Sequence, residues 1–288
     1  MSTRQNDSGL PPDPEPLDGT VFDAHCHLDA MAARAGLIRR GEPAGPDFVA
    51  AAQARAAAVG VTRLINVGCE VAEWDSAIAS TQHPGVYAAI AVHPTEVAGL
   101  TDEHYVELER LLHHPRVVAV GETGLDYYWD RPAPALQQEH FRRHIELAKR
   151  VGKPLMIHDR DAHADVLAIL ADAGAPPAGV IFHAFSGDAD LARECVRSGY
   201  LRSFSGVLTS KNAPALRAAA EVTSLESILV ETDAPFLTAH PYRGRPNAPY
   251  LLPHVVRLLA ELKGVPVSVV CATISATGRQ VFGIEGPV

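Results

Sequence analysis

Two hydrophobic patterns alternate along the chain. Short runs rich in β-branched residues are nearly continuous in apolar character: "TVFDAHCHL", "VTRLINVG", "VYAAIAVHP", "VVAVGETGLD", "KPLMIHDR", "AGVIFHAFSG", "YLRSFSGV" and "SILVETDAPFL". Between them, apolar residues recur at three- and four-residue spacing. "PDFVAAAQARAAAVG" is Ala-rich and runs to Gly60, "EHYVELERLLHHP" stops before Pro115, and "ALQQEHFRRHIELAKRVG" ends at Gly152. A glycine just past the last periodic residue, or a proline there, is a helix stop. "DAHADVLAILADAG", "DADLARECVRSG" and "APALRAAAEVT" follow the same pattern, and "PHVVRLLAELKG" and "SVVCATISATGRQVFG" supply two closing helices. Apolar strands alternating with helices predict a parallel sheet covered by helices. Eight such units over about 260 residues predict an α/β fold, a single-domain (β/α)8 TIM barrel. The rival, a doubly wound open sheet, would want a glycine-rich phosphate loop after the first strand. Here that strand ends in His-Cys-His, and no GxGxxG follows.

Composition narrows this picture. A chain of 288 residues with 47% hydrophobic content suits one barrel. It has no apolar run long enough to cross a membrane. The N-terminal "MSTRQNDSGLPPDPEPLDG" lacks the apolar core of a secretory signal, and its Pro, Asp, Ser and Gly content predicts a disordered leader over 1–19, with the barrel domain over 20–288. Cys26, Cys69, Cys195 and Cys271 form no CxxC pair, which fits free thiols in a reducing cytoplasm. The net charge of −9 argues against a protein that coats long duplexes. An enzyme acting on a nucleic-acid end remains compatible, because bound metal ions add local positive charge.

In a barrel, chemistry sits at the C-terminal ends of the strands. The ionisable residues follow that rule: His25 and His27 end the first run, His93 the third, Glu122 and Asp126 the fourth, His158 the fifth, His183 the sixth, and Glu231 and Asp233 the eighth. Residues two apart on a strand share a face. His25 and His27 would then reach one metal if that face is the interior, or be two buried structural histidines if it is not, while Cys26 would face the helix layer. His158 and His183 could share a second metal. Glu122 could bridge both ions, and Asp233, beside the first strand in a closed barrel, would complete the first. Four imidazoles and two carboxylates suit Zn, Mn, Co or Fe and accept harder ions. Asp233 could ligate or act as general base, two roles that compete for the same oxygens.

The ordered stretches "FDAHCHLD", "VHPTE", "GETGLDYY", "PLMIHDRDAHADVL", "FHAFSG", "GVLTSKNAP", "ETDAPFLTAHPYRGRPNAP" and "TGRQVFG" resemble the TatD-type metal-dependent hydrolases of the amidohydrolase-like barrels. The resemblance covers nearly everything after residue 20. It implies a two-metal barrel (Mg, Mn or Zn) whose ligands are His25, His27, Glu122, His158, His183 and Asp233, with Asp233 and Glu122 as the catalytic carboxylates. It further implies phosphodiester hydrolysis, often at DNA 3′ ends, and for some members deacylation of mischarged tRNA. The expected state is a monomer or weak oligomer. Three positions depart from the family pattern: Thr95 stands where a second histidine is usual, Ala248 where a Glu is usual, and Thr277 where an Asn is common.

A small-molecule amidohydrolase or lactonase using the same metals is the alternative enzyme. Such barrels often carry a carboxylated lysine on the fourth strand, where this chain has Glu122. A metal-binding scaffold is the non-enzymatic reading, against which stands an open rim, since structural metal sites are usually closed. His93, Arg160, Lys211 and Arg243 are expected substrate contacts at the mouth, with rim salt bridges or solvated loop charges as the plainer roles. Asp126 and Glu231 are expected to orient ligands. His104, His113, His114, His140 and His163 lie on helical stretches and are expected at the surface.

Overall fold

All eight apolar runs are strands, in a computed structural model that describes residues 9–129 and 131–286. The order is β1 (Val21–Cys26), α1 (Leu28–Arg34), α2 (Pro46–Ala57), β2 (Val61–Gly68), α3 (Trp74–Ser80), β3 (Val86–Ile90), α4 (Asp102–Leu112), β4 (Val117–Asp126), α5 (Pro134–Val151), β5 (Leu155–Arg160), α6 (His163–Ala173), β6 (Val180–Phe182), α7 (Ala189–Arg197), β7 (Leu201–Phe204), α8 (Pro214–Val222), β8 (Ile228–Val230), α9 (Pro253–Lys263) and α10 (Val267–Phe282). The strands pair in sequence order, all parallel. The seam between β8 and β1 is drawn together just past β8: Asp233 N–H donates to His25 O at 2.9 Å and His27 N–H to Ala234 O at 2.8 Å. This is the (β/α)8 barrel that the pattern predicts. No helix among the described residues is long and apolar enough to cross a membrane.

Helices α1 and α3 escape the periodicity reading. Each spans only seven residues, too short for a 3.6-residue pattern to show. Tertiary contacts hold them instead. Asn66 Oδ1 accepts the first amide of α1, from Leu28, at 2.9 Å, and buried Trp74 opens α3 with its indole N–H on Ala91 O at 2.7 Å.

The core has two layers. Phe22, Ala24, Ile65, Val67, Ala89, Ala119, Met156, Ile181 and Leu229 fill the barrel, and Phe282 and Ile284 join them from the end of the chain. The larger layer lies between strands and helices and includes Cys26, Leu64, Trp74, Ile90, Phe141, Ile157 and Phe204. Two strands carry an extra residue that matters for the site. In β1, Asp23 pairs with Leu64 but Cys26 pairs with Asn66, so three steps on one strand face two on the other. Strict alternation from Phe22 and Ala24 would turn His25 outward. The bulge resets the phase, so Cys26 joins the outer layer and His25 and His27 face inward together. β4 does the same: Val120 pairs with Leu155 and Thr123 with Ile157, with Glu122 in the bulged segment.

Residues 9–19 correct the expectation of a disordered leader over 1–19; the part of it on 1–8 lies outside the described residues. The segment is docked on the barrel as an extended strap. Arg245 donates to the carbonyls of Gly9 (2.8 Å) and Leu10 (2.7 Å), Tyr250 Oη–H to Pro11 O (2.5 Å), and Arg257 to those of Glu15 and Pro16. Arg55 pairs with Asp13, and Leu17 is buried. A proline-rich chain leaves its carbonyls free of internal hydrogen bonds, and long cationic side chains from the barrel use them. Composition reports side chains, so it missed contacts made by backbone.

Candidate metal centre

Glu122 stands at the middle of the C-terminal mouth with its two oxygens turned to two different groups of imidazoles. Oε2 lies 3.4 Å from His25 Nε2 and 3.9 Å from His27 Nε2. Oε1 lies 2.7 Å from His158 Nδ1, 3.0 Å from His183 Nε2 and 3.6 Å from His93 Nε2. Glu122 is the sixth residue of the ten in β4 rather than its last, a correction to the strand-end reading. β3 ends opposite Val120, so Glu122 lies past the end of β3, whereas β5 runs on beside β4 until Arg160 pairs with Asp126.

Asp233, just past β8, closes the first group. Its Oδ1 is 3.4 Å from His27 Nε2 and 3.7 Å from His25 Nε2, with its backbone at φ 55°. That left-handed conformation is costly for a non-glycine residue and is typical of functional turns. The six residues expected as ligands are thus brought together. Among the described residues, His25, His27 and Glu122 form one set able to hold a cation, and Glu122, His158 and His183 another.

Electrostatics in the cluster couple carboxylates to imidazoles: burial opposes charge on His27, His158 and His183, but their carboxylate partners raise all three, His183 well above the usual range. Burial raises the Glu122 carboxyl, but His183 and His93 and the hydrogen bonds of His158 and His183 outweigh it and hold it well below the usual range. Burial likewise opposes ionisation of Asp233, and its hydrogen bond with His27 and the nearby His183 bring it down. His25 is depressed, by burial first and then by His183, whose ring stacks on it at 3.7 Å. His93 is pushed down to about 4 by burial and by neighbouring His158. The ring nitrogens Nε2 of His25 and His27 approach to 3.1 Å. His27 Nδ1 faces Val67 O and His25 Nδ1 the Met156 sulfur, so in neutral rings those nitrogens carry the protons and both Nε2 lone pairs can turn to one cation.

Partners behind these residues fix their ring orientations. Asp126 Oδ2 meets His158 Nε2 at 2.8 Å, while Asp126 Oδ1 accepts the amides of Tyr128 and Trp129 at 3.0 Å each. Glu231 Oε1 meets His183 Nδ1 at 3.0 Å and accepts the Ala184 amide at 2.6 Å. His27 Nδ1 is 3.2 Å from Val67 O. The expected orienting roles of Asp126 and Glu231 have this geometry.

The expected substrate contacts divide. His93 is at the site, 4.3 Å ring to ring from His158, with Nδ1 accepting the Thr95 amide at 3.2 Å. Thr95 therefore serves His93, where a second histidine is usual. Arg160 ends β5, exposed, with its guanidinium 3.9 Å over the Tyr128 ring rather than against the histidines. Lys211 is exposed in the segment before α8. Arg243 lines a groove of about 450 Å³ with Arg34, Phe236 and His240. Phe236 stands 6.0 Å from the His27 ring. Ala248 is buried away from the histidines and lines an apolar cavity of about 430 Å³ with Leu10, Met31, Phe48 and Tyr250. Thr277 is buried, its hydroxyl donating to backbone carbonyls at 3.2 Å, as a packing residue would.

His140 corrects the expectation of a surface histidine: it is buried between α4 and α5, with Nδ1 2.9 Å from Tyr105 Oη. Asp23 went unassigned in the sequence. It accepts from Thr232 N–H (2.9 Å) and Oγ1–H (2.5 Å) across the seam, and burial pushes its carboxyl up to about 8. Its place in "FDAHCHLD" beside Ala24 and His25 was the available signal.

Known proteins resemble this chain along nearly its whole length. A sequence model described as "TatD related DNase" matches residues 22–283. The uncharacterised metal-dependent hydrolase TatD of Mycobacterium tuberculosis is 47% identical over 271 residues, covering 92% of this chain and 98% of its own. A Cronobacter sakazakii protein named 3′-5′ ssDNA/RNA exonuclease TatD is 32% identical, covering 80% of this chain and 89% of its own. The crystal structure of YjjV, a TatD homologue from Escherichia coli, superposes with a TM-score of 0.83 at 28% identity, covering 92% of this chain and 98% of that one. With the barrel, the converging histidines and carboxylates, and this likeness along nearly the whole chain, the protein belongs to the TatD family of metal-dependent hydrolases.

Proposed function

We propose that this hydrolase is a phosphodiesterase that holds two divalent ions and removes nucleotides from DNA ends, from the 3′ side. The observation that carries the reading is the split of Glu122 between two imidazole groups, Oε2 toward His25 and His27 and Oε1 toward His158 and His183. A single carboxylate shared in this way suits two ions rather than one. His25, His27 and Asp233 would hold the first, His158 and His183 the second, and Glu122 both. Bound divalent ions supply Lewis-acid stabilisation of charge on phosphoryl oxygens and make water acidic enough to attack near neutral pH.

The chain's own residues do the rest. Asp233 is the group that takes the proton of the attacking water, because its carboxylate stays ionised and lies beside the His25–His27 pair. His93 stays neutral near pH 7 and directs Nε2 into the mouth, where its N–H can donate to a phosphate oxygen. The name of the Cronobacter relative supports a nucleic-acid substrate. Glu122 in place of a bridging lysine speaks against the small-molecule lactonase reading. The four cysteines are free, in keeping with a cytoplasmic enzyme, and we take it to act as a monomer or weak oligomer.

An activity panel tests this. Chelated protein reloaded with Mg, Mn or Zn is given single-stranded DNA blocked at either end, RNA, aminoacyl-tRNA and an aryl lactone. The expected result is metal-dependent mononucleotide release that a 3′ block stops. Turnover of the lactone or of aminoacyl-tRNA alone would replace the reading.

A further inference from the structure

The turn after β4 carries two large rings into solvent. Tyr128 is 54% and Trp129 52% exposed, their rings perpendicular with centroids 5.0 Å apart. The Arg160 guanidinium lies 3.9 Å above the Tyr128 ring and 6.0 Å from that of Trp129. The protein's other tryptophan, Trp74, is buried, with its indole N–H satisfied. Leaving half of two aromatic side chains in water forgoes burial that the fold elsewhere secures.

This ring pair is anchored to the metal centre. Asp126 Oδ1 accepts the Tyr128 and Trp129 amides at 3.0 Å, and Oδ2 of the same carboxylate holds His158 Nε2 at 2.8 Å. Three residues of chain reach at most about 11 Å, so Trp129 is rooted close to the residue that orients His158. Arg160 is two residues past His158 on β5. One carboxylate therefore fixes both the imidazole and the aromatic turn beside it.

We propose that Tyr128, Trp129 and Arg160 form the platform on which a base of a single-stranded polynucleotide stacks while a neighbouring phosphodiester lies at the metal centre. The inference rests on the nuclease reading and adds the residues that select the strand. Every base offers a π face to an exposed ring, so the contact tolerates sequence. Arg160 places a positive charge beside the rings in a chain of net charge −9, where a phosphate backbone otherwise meets repulsion. Bases within a duplex are already stacked on each other, so the platform favours single strands. Two rings and one cation are too small a patch for a stable protein interface, which buries about 800 Å² per partner.

Trp129, as the exposed tryptophan of two, gives the test its optical signal. Metal-loaded protein is titrated with a phosphorothioate oligonucleotide that resists cleavage, single-stranded or annealed to its complement, while tryptophan fluorescence is followed. In parallel, KM and kcat of wild type and of the Tyr128→Ala/Trp129→Ala variant are measured on single-stranded DNA and on bis(p-nitrophenyl) phosphate, which has no base to stack. The single strand is expected to quench wild-type fluorescence and the duplex to leave it unchanged. The variant's KM for single-stranded DNA is expected to rise about tenfold or more, with turnover of bis(p-nitrophenyl) phosphate unchanged. Unquenched fluorescence, or equal KM values in an enzyme whose wild type degrades single-stranded DNA, overturns the platform and leaves the nuclease reading standing. A wild type that cleaves bis(p-nitrophenyl) phosphate but no polynucleotide overturns both. Equal loss on both substrates would mark the turn as support for His158 and overturn the platform too.

Discussion

Asp126 and His158 meet at 2.8 Å through Oδ2 and Nε2, and this contact decides which nitrogen of His158 faces the mouth. A carboxylate accepts only, so Asp126 holds a proton on Nε2. Glu122 Oε1, 2.7 Å from Nδ1, holds one there as well. A cation taken up between His158 and Glu122 would replace that Nδ1 proton while Asp126 keeps the one on Nε2. Asp126→Asn keeps the shape and can place an amide donor there instead. The variant is expected to need about 10–100-fold more Mn for half-maximal activity, the usual cost of losing such a partner. Its turnover should return toward wild type at saturating metal. Titrating activity against free Mn measures both, and an unchanged midpoint would remove Asp126 from the metal centre.

Asp233→Asn tests the proton acceptor. The substitution retains one oxygen near His25 and His27 but removes the negative charge and most of the basicity. Loss of a positioned general base costs about 10²–10⁴-fold in rate, and loss of a ligand adds to that. Metal-dependent activity is therefore expected to vanish from ordinary assays, while circular dichroism and the unfolding midpoint of the chelated protein stay near wild type. His158→Ala should behave alike. Full activity in either variant would contradict the assignment of the site.

Much of this architecture was legible because barrels impose two strong sequence rules. Apolar strands alternate with amphipathic helices, and reactive residues collect at one end. These rules alone put His25, His27, His158 and His183 toward the mouth end of their strands, without saying which way each side chain turns. What stayed hidden depends on register. The bulges in β1 and β4 set which way His25 and Glu122 point, and a bulge has no reliable signature in a run of apolar residues. His140 misled because a helical histidine near charged neighbours looks solvated, yet Tyr105 from α4 covers it. The strap over 9–19 was hidden because its contacts run through carbonyls that every sequence has.

That strap makes a stability prediction. Tyr250 is buried and donates to Pro11 O, with Arg55 3.6 Å over its ring. Deleting residues 1–14 removes this acceptor, the Asp13 partner of Arg55 and the carbonyls held by Arg245. A buried donor left without its partner costs about 1–3 kcal/mol. Urea unfolding of the truncated chain should show a loss of that order, whereas Tyr250→Phe in the full chain, which removes the donor itself, should cost less. Equal stability of truncated and full chains would mean that the strap merely rests on the surface.

His144 carries the clearest pH dependence outside the metal centre. Its ring is fully buried on α5, with Nδ1 2.9 Å from Thr123 Oγ1, and Nε2 has no hydrogen-bond partner among the described residues. Burial, reinforced by His140, pushes it down to about 3 from an ordinary value near 6.5. Between those values the unfolded chain binds a proton that the folded chain refuses. Stability must then rise with pH in this window. The contribution of a neutral His144 is complete above about pH 6.5 and is lost as the pH falls toward 3. One proton changes stability by about 1.4 kcal/mol per pH unit, so lowering the pH from 6.5 to 5 costs wild type about 2 kcal/mol through this group. His144→Gln cannot take up that proton in either state. Urea unfolding at pH 7 and pH 5 should therefore show the stability gap between wild type and variant shift by about 2 kcal/mol in favour of the variant at the lower pH. A gap that stays constant would mean that the folded protein takes up the proton on His144 as readily as the unfolded chain does.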